Sequence, residues 1–212
     1  MIRLAILISG GGTNLQAFID SVARGSLAAE IAVVLSNRPD AYGLTRARQA
    51  GIPTECVQDR DYPDRASFDQ ALGDTCQRYE PDLLILAGFM RILTPQFVNR
   101  FEGRILNIHP ALLPSYPGLN THQRVIEAGE QWHGSTVHFV TEELDAGPRI
   151  LQARVPVLAD DTPSRLSARV QAVEHKIYPQ AADLFASGRL EFRSGASWLD
   201  GVKLEQPIQC DV

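Results

Sequence analysis

The chain is poor in cysteine, methionine and tryptophan, and it has no excess of basic charge. Three cysteines occur in 212 residues, Cys56, Cys76 and Cys210, and no two stand in a Cys-x-x-Cys spacing. That excludes a disulfide framework and points to free thiols in a reducing compartment. Lys and Arg total 20 against 25 Asp and Glu, a net charge of -5. This argues against a protein whose main task is gripping nucleic acid, while leaving room for a local pocket for one small anion. No hydrophobic run is long enough to span a bilayer. The apolar start, Met1 to Ile8, is followed at once by glycines and not by a small-residue cleavage site. It reads as a first buried strand and not as a leader, and the expected location is the cytoplasm. There is no Gly-x-Ser-x-Gly elbow, no His-Glu-x-x-His and no His/Cys cluster. No metal is therefore expected, and neither Cys56 nor Cys76 has a histidine nearby in sequence to activate it. Internal repeats and low-complexity segments are absent as well.

What is present is an ordinary globular composition, 44% hydrophobic and 21% charged, in a length that suits one large domain. The continuous apolar run Ile2 to Ile8 is typical of a strand covered on both faces of a parallel sheet. Ser9-Gly10-Gly11-Gly12-Thr13-Asn14 follows, then a helix ending at Gly25 with Leu15, Phe18, Ile19 and Val22 on one face. Strand, glycine loop and helix make an anion-binding device, since glycines allow close backbone approach and the helix start offers free N–H groups. Thr13 and Asn14 can cap the helix or donate to a phosphate. Leu15 stands where a dinucleotide fingerprint wants its third glycine. The second strand ends in Ser36 and Asn37 and not in an acid. A lone phosphate monoester is favoured over NAD; the alternative is a tight turn with no ligand. A helix stopped by Gly51 comes next, then a short strand around Pro53 to Val57. A long helix follows, with Phe68, Leu72 and Tyr79 on its apolar side and Arg65 at its start as a surface residue. The fourth strand, Asp82 to Gly88, leads to Met90, Ile92 and Leu93. These either wall a pocket for a flat ring or pack the core of the next helix.

The centre of the sequence is Arg104 to Gly118. Asn107 and His109 are two apart on a strand, so they project from one face, and Pro110 ends the ladder. A polar pair there is either a hydrogen-bonded strand end or catalytic. A helix capped by Asn120 or Thr121 follows, then two extended segments around Leu144-Asp145-Ala146-Gly147-Pro148. Val137 and Phe139 alternate with His138 and Val140; His133 and His138, five apart, are expected on opposite sides. Asp145 is a turn residue unless its loop folds against His109. Asp161 or Thr162 caps a long helix with Leu166, Val170, Val173 and Ile177 as its core stripe. Gln171 and Glu174 share another face, and Pro179 is expected to kink or restart the helix. Two short extended pieces form the tail. An amide, an imidazolium and a carboxylate suit transfer of an acyl group to an amine with no covalent enzyme intermediate.

The segments Ile8 to Gln16, Leu86 to Leu93, Leu106 to Gly118, His133 to Val140, Leu144 to Gln152 and Arg169 to Pro179 together resemble the folate-dependent formyltransferases. Within them they are most similar to the phosphoribosylglycinamide formyltransferase family of de novo purine synthesis. The resemblance covers Ile2 to about Gly201. It implies an α/β, doubly wound fold with a mostly parallel sheet and a Rossmann-like N-terminal half. The expected organisation is one domain over 1–212: a phosphate half near 1–100, a folate and catalytic half at 101–190 and a tail at 191–212. It implies 10-formyltetrahydrofolate as co-substrate, no metal, and glycinamide ribonucleotide as acceptor. It implies no nucleic acid or membrane partner, and a monomer or weak homodimer. By the same resemblance Asn107, His109 and Asp145 are catalytic: His109 as general acid and oxyanion stabiliser, Asn107 as second oxyanion donor, Asp145 holding His109 and relaying protons through an ordered water. Gly12, Thr13, Asn14, Gln171 and Glu174 match the ribonucleotide site. Arg65, Met90, Arg91, Ile92, Leu93, Asn107, Thr141, Glu142, Glu143, Leu144 and Asp145 match the folate site. Ser115 stands where a lysine or arginine is common and Asn120 where a histidine is common; both bear on phosphate affinity or local pH response. Two rivals are a deformylase that uses water in place of the amine, and a non-catalytic binding protein.

Overall fold

A computed structural model describes residues 1–210; Asp211 and Val212, the end of the expected tail, lie outside the described residues. The chain forms two compact units, Met1–Leu106 and Asn107–Val212.

The first unit runs β1 (Ile2–Ile8), α1 (Thr13–Ala23), β2 (Ala29–Ser36), α2 (Tyr42–Gln49), β3 (Thr54–Cys56), a single 3-10 turn at Asp59–Asp61, α3 (Arg65–Gln77), β4 (Leu83–Leu86) and α4 (Pro95–Arg100). Its strands lie in the order β3-β2-β1-β4, with β1 parallel to both neighbours and β2 parallel to β3. Leu4 to Ile8 are 0% exposed, as the unbroken apolar run requires. Each of these leucine and isoleucine side chains contributes roughly 1.5–3 kcal/mol by leaving water. Asp64 caps α3 by accepting the Ser67 N–H at 2.8 Å, and Thr94 caps α4 ahead of Pro95. α1 departs from expectation: its N-cap is Gly12, at φ +70°, with no side-chain cap. Thr13 and Asn14 instead occupy the first helical turn. Tyr79 lies beyond the end of α3 and donates its hydroxyl to Glu55 at 2.9 Å.

The second unit takes over within β5 (Ile105–His109) and continues through α5 (Thr121–Glu127), β6 (Trp132–Phe139), β7 (Arg149–Pro156), α6 (Pro163–Ala186), β8 (Leu190–Arg193), β9 (Ala196–Leu199), β10 (Val202–Lys203) and β11 (Ile208–Cys210). β5, β6, β7 and β11 are successive neighbours. β6 and β7 pair antiparallel while β7 and β11 are parallel. With the parallel pairs of the first unit, this is the mostly parallel α/β class the sequence implies. The tail corrects the two-piece expectation. β8, β9 and β10 form a three-stranded antiparallel sheet, because the turn at Asp200 and Gly201 returns the chain for one more pairing. α6 corrects the expected restart at Pro179. It runs through Pro179 as one 24-residue helix, with Thr162 accepting from the Arg165 N–H. Pro179 is buried together with Ile177, Tyr178, Ala181 and Ala182, and that continuous packing outweighs the single lost backbone bond.

Gly134 is a required glycine inside β6. A Cβ there would collide with the Ala153 carbonyl oxygen of β7, a backbone atom held in the ladder. Gly134→Ala is expected to destabilise by about 2–3 kcal/mol. Urea unfolding checks this; an unchanged midpoint would show that the two strands separate at little cost.

Candidate active site

Four side chains of the second unit converge at the end of β5. His109 is buried and closes the strand, because Pro110 has no N–H to extend it. Its Nε2 lies 2.9 Å from the Tyr116 carbonyl. A carbonyl only accepts, so Nε2 carries a hydrogen and donates. Its Nδ1 lies 3.4 Å from Asp145 Oδ2, another acceptor. Both ring nitrogens of His109 therefore face acceptors. Asp145 also accepts the Gly118 N–H at 2.9 Å, and its side chain is only 6% exposed. The loop therefore folds onto His109, which spacing alone left open. It does so with Asp145 at φ +54°, a left-handed conformation that Asp tolerates better than most residues.

Asn107, half-buried on the same strand, turns its Nδ2 to His138 Nε2 at 3.2 Å. His138 Nδ1 is 2.8 Å from the Phe139 carbonyl, so the hydrogen sits on Nδ1 and Nε2 is left to accept from the amide. Burial pushes the His138 pKa down, ahead of the upward pulls of Phe139 and Asp145. A neutral imidazole thus orients Asn107, while its Nε2 lies 4.0 Å from Asp145 Oδ1. Sequence reasoning missed His138. The only available signal was its place on a strand flanked by apolar residues, where a histidine needs a partner.

Glu174 joins this cluster from α6. It is 7% exposed and 2.9 Å from Ser135 Oγ, which itself lies 2.8 Å from the His109 carbonyl. Gln171, one turn earlier on α6, is half-buried. His133, expected on the side opposite His138 because five residues separate them, lies near the start of β6. It is buried and pairs with His122, Nε2 to Nδ1, at 2.9 Å. Burial, then the charges of His122 and His109, push its pKa down to about 4. Among the described residues no group of three or more His, Cys, Asp or Glu could hold a metal.

These histidines carry a stability prediction. The folded pKa of His133 lies below its ordinary value near 6.5, so the unfolded chain binds the extra proton first. Stability is complete above about pH 6.5 and is lost as pH falls towards 4, by on the order of a few kcal/mol. Burial moves His122 and His138 in the same direction. Urea midpoints measured across pH 4–7 check it. His133→Phe should flatten the slope; an equally steep slope in that variant would remove His133 as its source.

The first unit carries the remaining candidates. Gly12 packs on the first turn of α2, with an ideal Cβ only 2.7 Å from Gly43 Cα. Ser9 Oγ accepts the Met90 N–H at 2.8 Å and donates to Asn37 Oδ1 at 2.6 Å. That ties the ends of β1 and β2 to the segment after β4. Met90 is 68% and Ile92 56% exposed, whereas Leu93 is 8% exposed. Core packing accounts for Leu93 alone; the other two present apolar surface to solvent. Arg91 pairs with Asp59 at 3.1 Å and stands 5.7 Å over the Phe68 ring. Arg65 is exposed at the first position of α3. In the second unit Glu142, Glu143 and Leu144 are exposed, and Thr141 is half-buried. A cavity of about 300 Å³ behind this loop is lined by Thr141, Gly147, Arg149, Ser197 and Lys203 among others, and includes none of Asn107, His109 or Asp145. Ser115 is exposed, and Asn120 is the left-handed N-cap of α5, at φ 57°, a conformation asparagine accepts.

Residues 2–182 match the formyl transferase family. A phosphoribosylglycinamide formyltransferase of Escherichia coli is 50% identical over 202 residues, covering 95% of each chain. The solved structure of the phosphoribosylglycinamide formyltransferase from Coxiella burnetii superposes with a TM-score of 0.93 at 50% identity, over 98% of this chain and 99% of that one. A glycinamide ribonucleotide transformylase from Symbiobacterium toebii gives 0.91 at 49% identity, over 94% of each.

Proposed function

The chain belongs to the formyl transferase family, and on that premise we propose how its residues carry out the transfer. The activity is that of a phosphoribosylglycinamide formyltransferase: a formyl group passes from 10-formyltetrahydrofolate to the amine of glycinamide ribonucleotide, giving formylglycinamide ribonucleotide and tetrahydrofolate in purine biosynthesis. The glycinamide nitrogen attacks the formyl carbon, and the carbonyl oxygen takes the negative charge. Asn107 Nδ2–H donates to that oxygen, and so does His109 once its Nε2–H turns to it from the Tyr116 carbonyl while Nδ1 stays on Asp145. The carbon–N10 bond then breaks as the carbonyl re-forms. The amine loses a proton and N10 gains one, with His109 as acid and Asp145 as its counter-charge and proton relay through water.

The observation that best supports this reading is the His109–Asp145 contact, with acceptors at both imidazole nitrogens. Gly12, Thr13 and Asn14 are assigned to the phosphate, and Gln171 and Glu174 to the ribose and glycinamide. Arg65, Met90 to Leu93 and Thr141 to Asp145 are assigned to the folate. The enzyme is proposed to be one cytoplasmic catalytic domain, monomeric or weakly dimeric, acting on two small molecules with no nucleic-acid or membrane partner. Purified protein given 10-formyltetrahydrofolate with and without glycinamide ribonucleotide tests the reading. Turnover should require the ribonucleotide. Turnover without it would identify a deformylase, and none in either case a binding protein.

A further inference from the structure

We propose that Arg46 is a positioning residue for the phosphate loop and sets the enzyme's preference for a phosphorylated acceptor. The inference rests on assigning Gly12 to Asn14 to the phosphate, and all its observations lie within the first unit. Arg46 projects from α2 and donates Nε–H to the Gly11 carbonyl at 2.9 Å. Its Nη1 donates to Gln16 Oε1 of α1 at 3.1 Å, and its guanidinium carbon stands 5.0 Å over the Tyr42 ring. The preceding carbonyl, Gly10, accepts the Gly43 N–H at 3.0 Å. Two successive loop carbonyls are therefore claimed by α2.

That arrangement has a direct consequence for the donors. In a trans peptide the N–H points opposite to the C=O of the same plane. Turning the Gly10 and Gly11 carbonyls towards α2 turns the Gly11 and Gly12 N–H groups away from it. With Gly12 as N-cap of α1, these N–H groups stand immediately before the start of the helix, the end whose dipole favours an anion such as a phosphate monoester. Arg46 holds one of the two planes. It has five donors, and the two bonds above use two of them, so it also leaves a fixed positive charge beside the loop. Lysine supplies the charge but cannot make both bonds in one plane. The close approach of Gly12 to Gly43 keeps the loop seated when the guanidinium is removed, so the variants are expected to fold.

The experiment is steady-state kinetics with glycinamide ribonucleotide and with its dephosphorylated ribonucleoside, for wild type, Arg46→Ala, Arg46→Lys and Gln16→Ala. Arg46→Ala should raise KM for the ribonucleotide about 10- to 100-fold, leaving kcat within about threefold and KM for 10-formyltetrahydrofolate unchanged. Its preference for the phosphorylated acceptor should shrink by the same factor. Arg46→Lys should recover part of the loss, and Gln16→Ala, which removes only the second bond, should cost less than Arg46→Ala. Inorganic phosphate as a competitive inhibitor should weaken in parallel. An Arg46→Ala enzyme with wild-type KM and preference would overturn the inference. So would equal losses with both acceptors, which mark a merely structural residue. A wild-type enzyme that showed no preference for the phosphorylated acceptor would refute the loop assignment itself, a distinguishable result.

Discussion

His109→Ala lowers kcat by about 10³-fold or more, while the dissociation constant of glycinamide ribonucleotide changes by less than about fivefold. The expectation follows from what the ring does at its two nitrogens. In the resting protein Nε2 donates to the Tyr116 carbonyl and Nδ1 faces the Asp145 carboxylate. Neither is needed to hold a ribonucleotide phosphate. Charge appears on the formyl oxygen only when the amine attacks, so the imidazolium acts mainly on the transition state and its removal lands on kcat. The fold should survive. β5 is held by Ile105, Leu106 and Ile108, all buried, and the β5 backbone does not depend on the ring. Single-turnover rates together with equilibrium binding of the ribonucleotide make the measurement. Comparable losses in rate and binding would contradict a transition-state role.

Asn107 is the harder half of the same device, and it shows how far the amino-acid pattern carried. That Asn107 and His109 share a face followed from strand geometry. What fixes Asn107 did not. Its partner His138 sits 31 residues on, at a point where the β6–β7 register shifts between Val137 and His138. Strict alternation assigned His138 only a position, and a register irregularity re-aims a side chain in a way no local pattern records. The same limit explains His133. Its contact with His122 joins α5 to β6, and a count of five residues between two histidines says nothing about a third.

By contrast β1 and the stop of α1 at Gly25 were legible, because each follows from local chemistry: an apolar run and a left-handed glycine after the helix end. Pro179 marks where local chemistry misleads. Its ring argues for a break, but Ile177, Tyr178, Ala181 and Ala182 are buried on both sides of it, and packing decided the outcome. Met90, Ile92 and Leu93 were ambiguous between pocket and core for a similar reason. Periodicity cannot tell an apolar residue that faces a ligand from one that faces a neighbour, and exposure separates them: Leu93 is covered, Met90 and Ile92 are not.

Asp145→Asn should lower kcat by about 10²- to 10³-fold while ribonucleotide binding stays within about fivefold. Asparagine isolates the charge. Its Oδ1 can still accept the Gly118 N–H, and asparagine tolerates the φ of +54° at this position. Alanine would strand the Gly118 donor and strain the backbone, so its effect would mix loop collapse with lost catalysis. With the carboxylate gone, Nδ1 of His109 faces a neutral amide in a site that is almost closed to water, the two side chains being 7% and 6% exposed. The imidazolium then loses the charge that offsets its own desolvation. The transition state, in which the ring donates, loses most from this, so the cost falls on kcat. Retained ribonucleotide binding distinguishes a lost counter-charge from a displaced loop. Single-turnover rates of wild type and variant make the comparison, with ribonucleotide binding as the control for loop position. An unchanged rate would take Asp145 out of the chemistry, and equal losses in rate and binding would leave it a purely structural part of the loop.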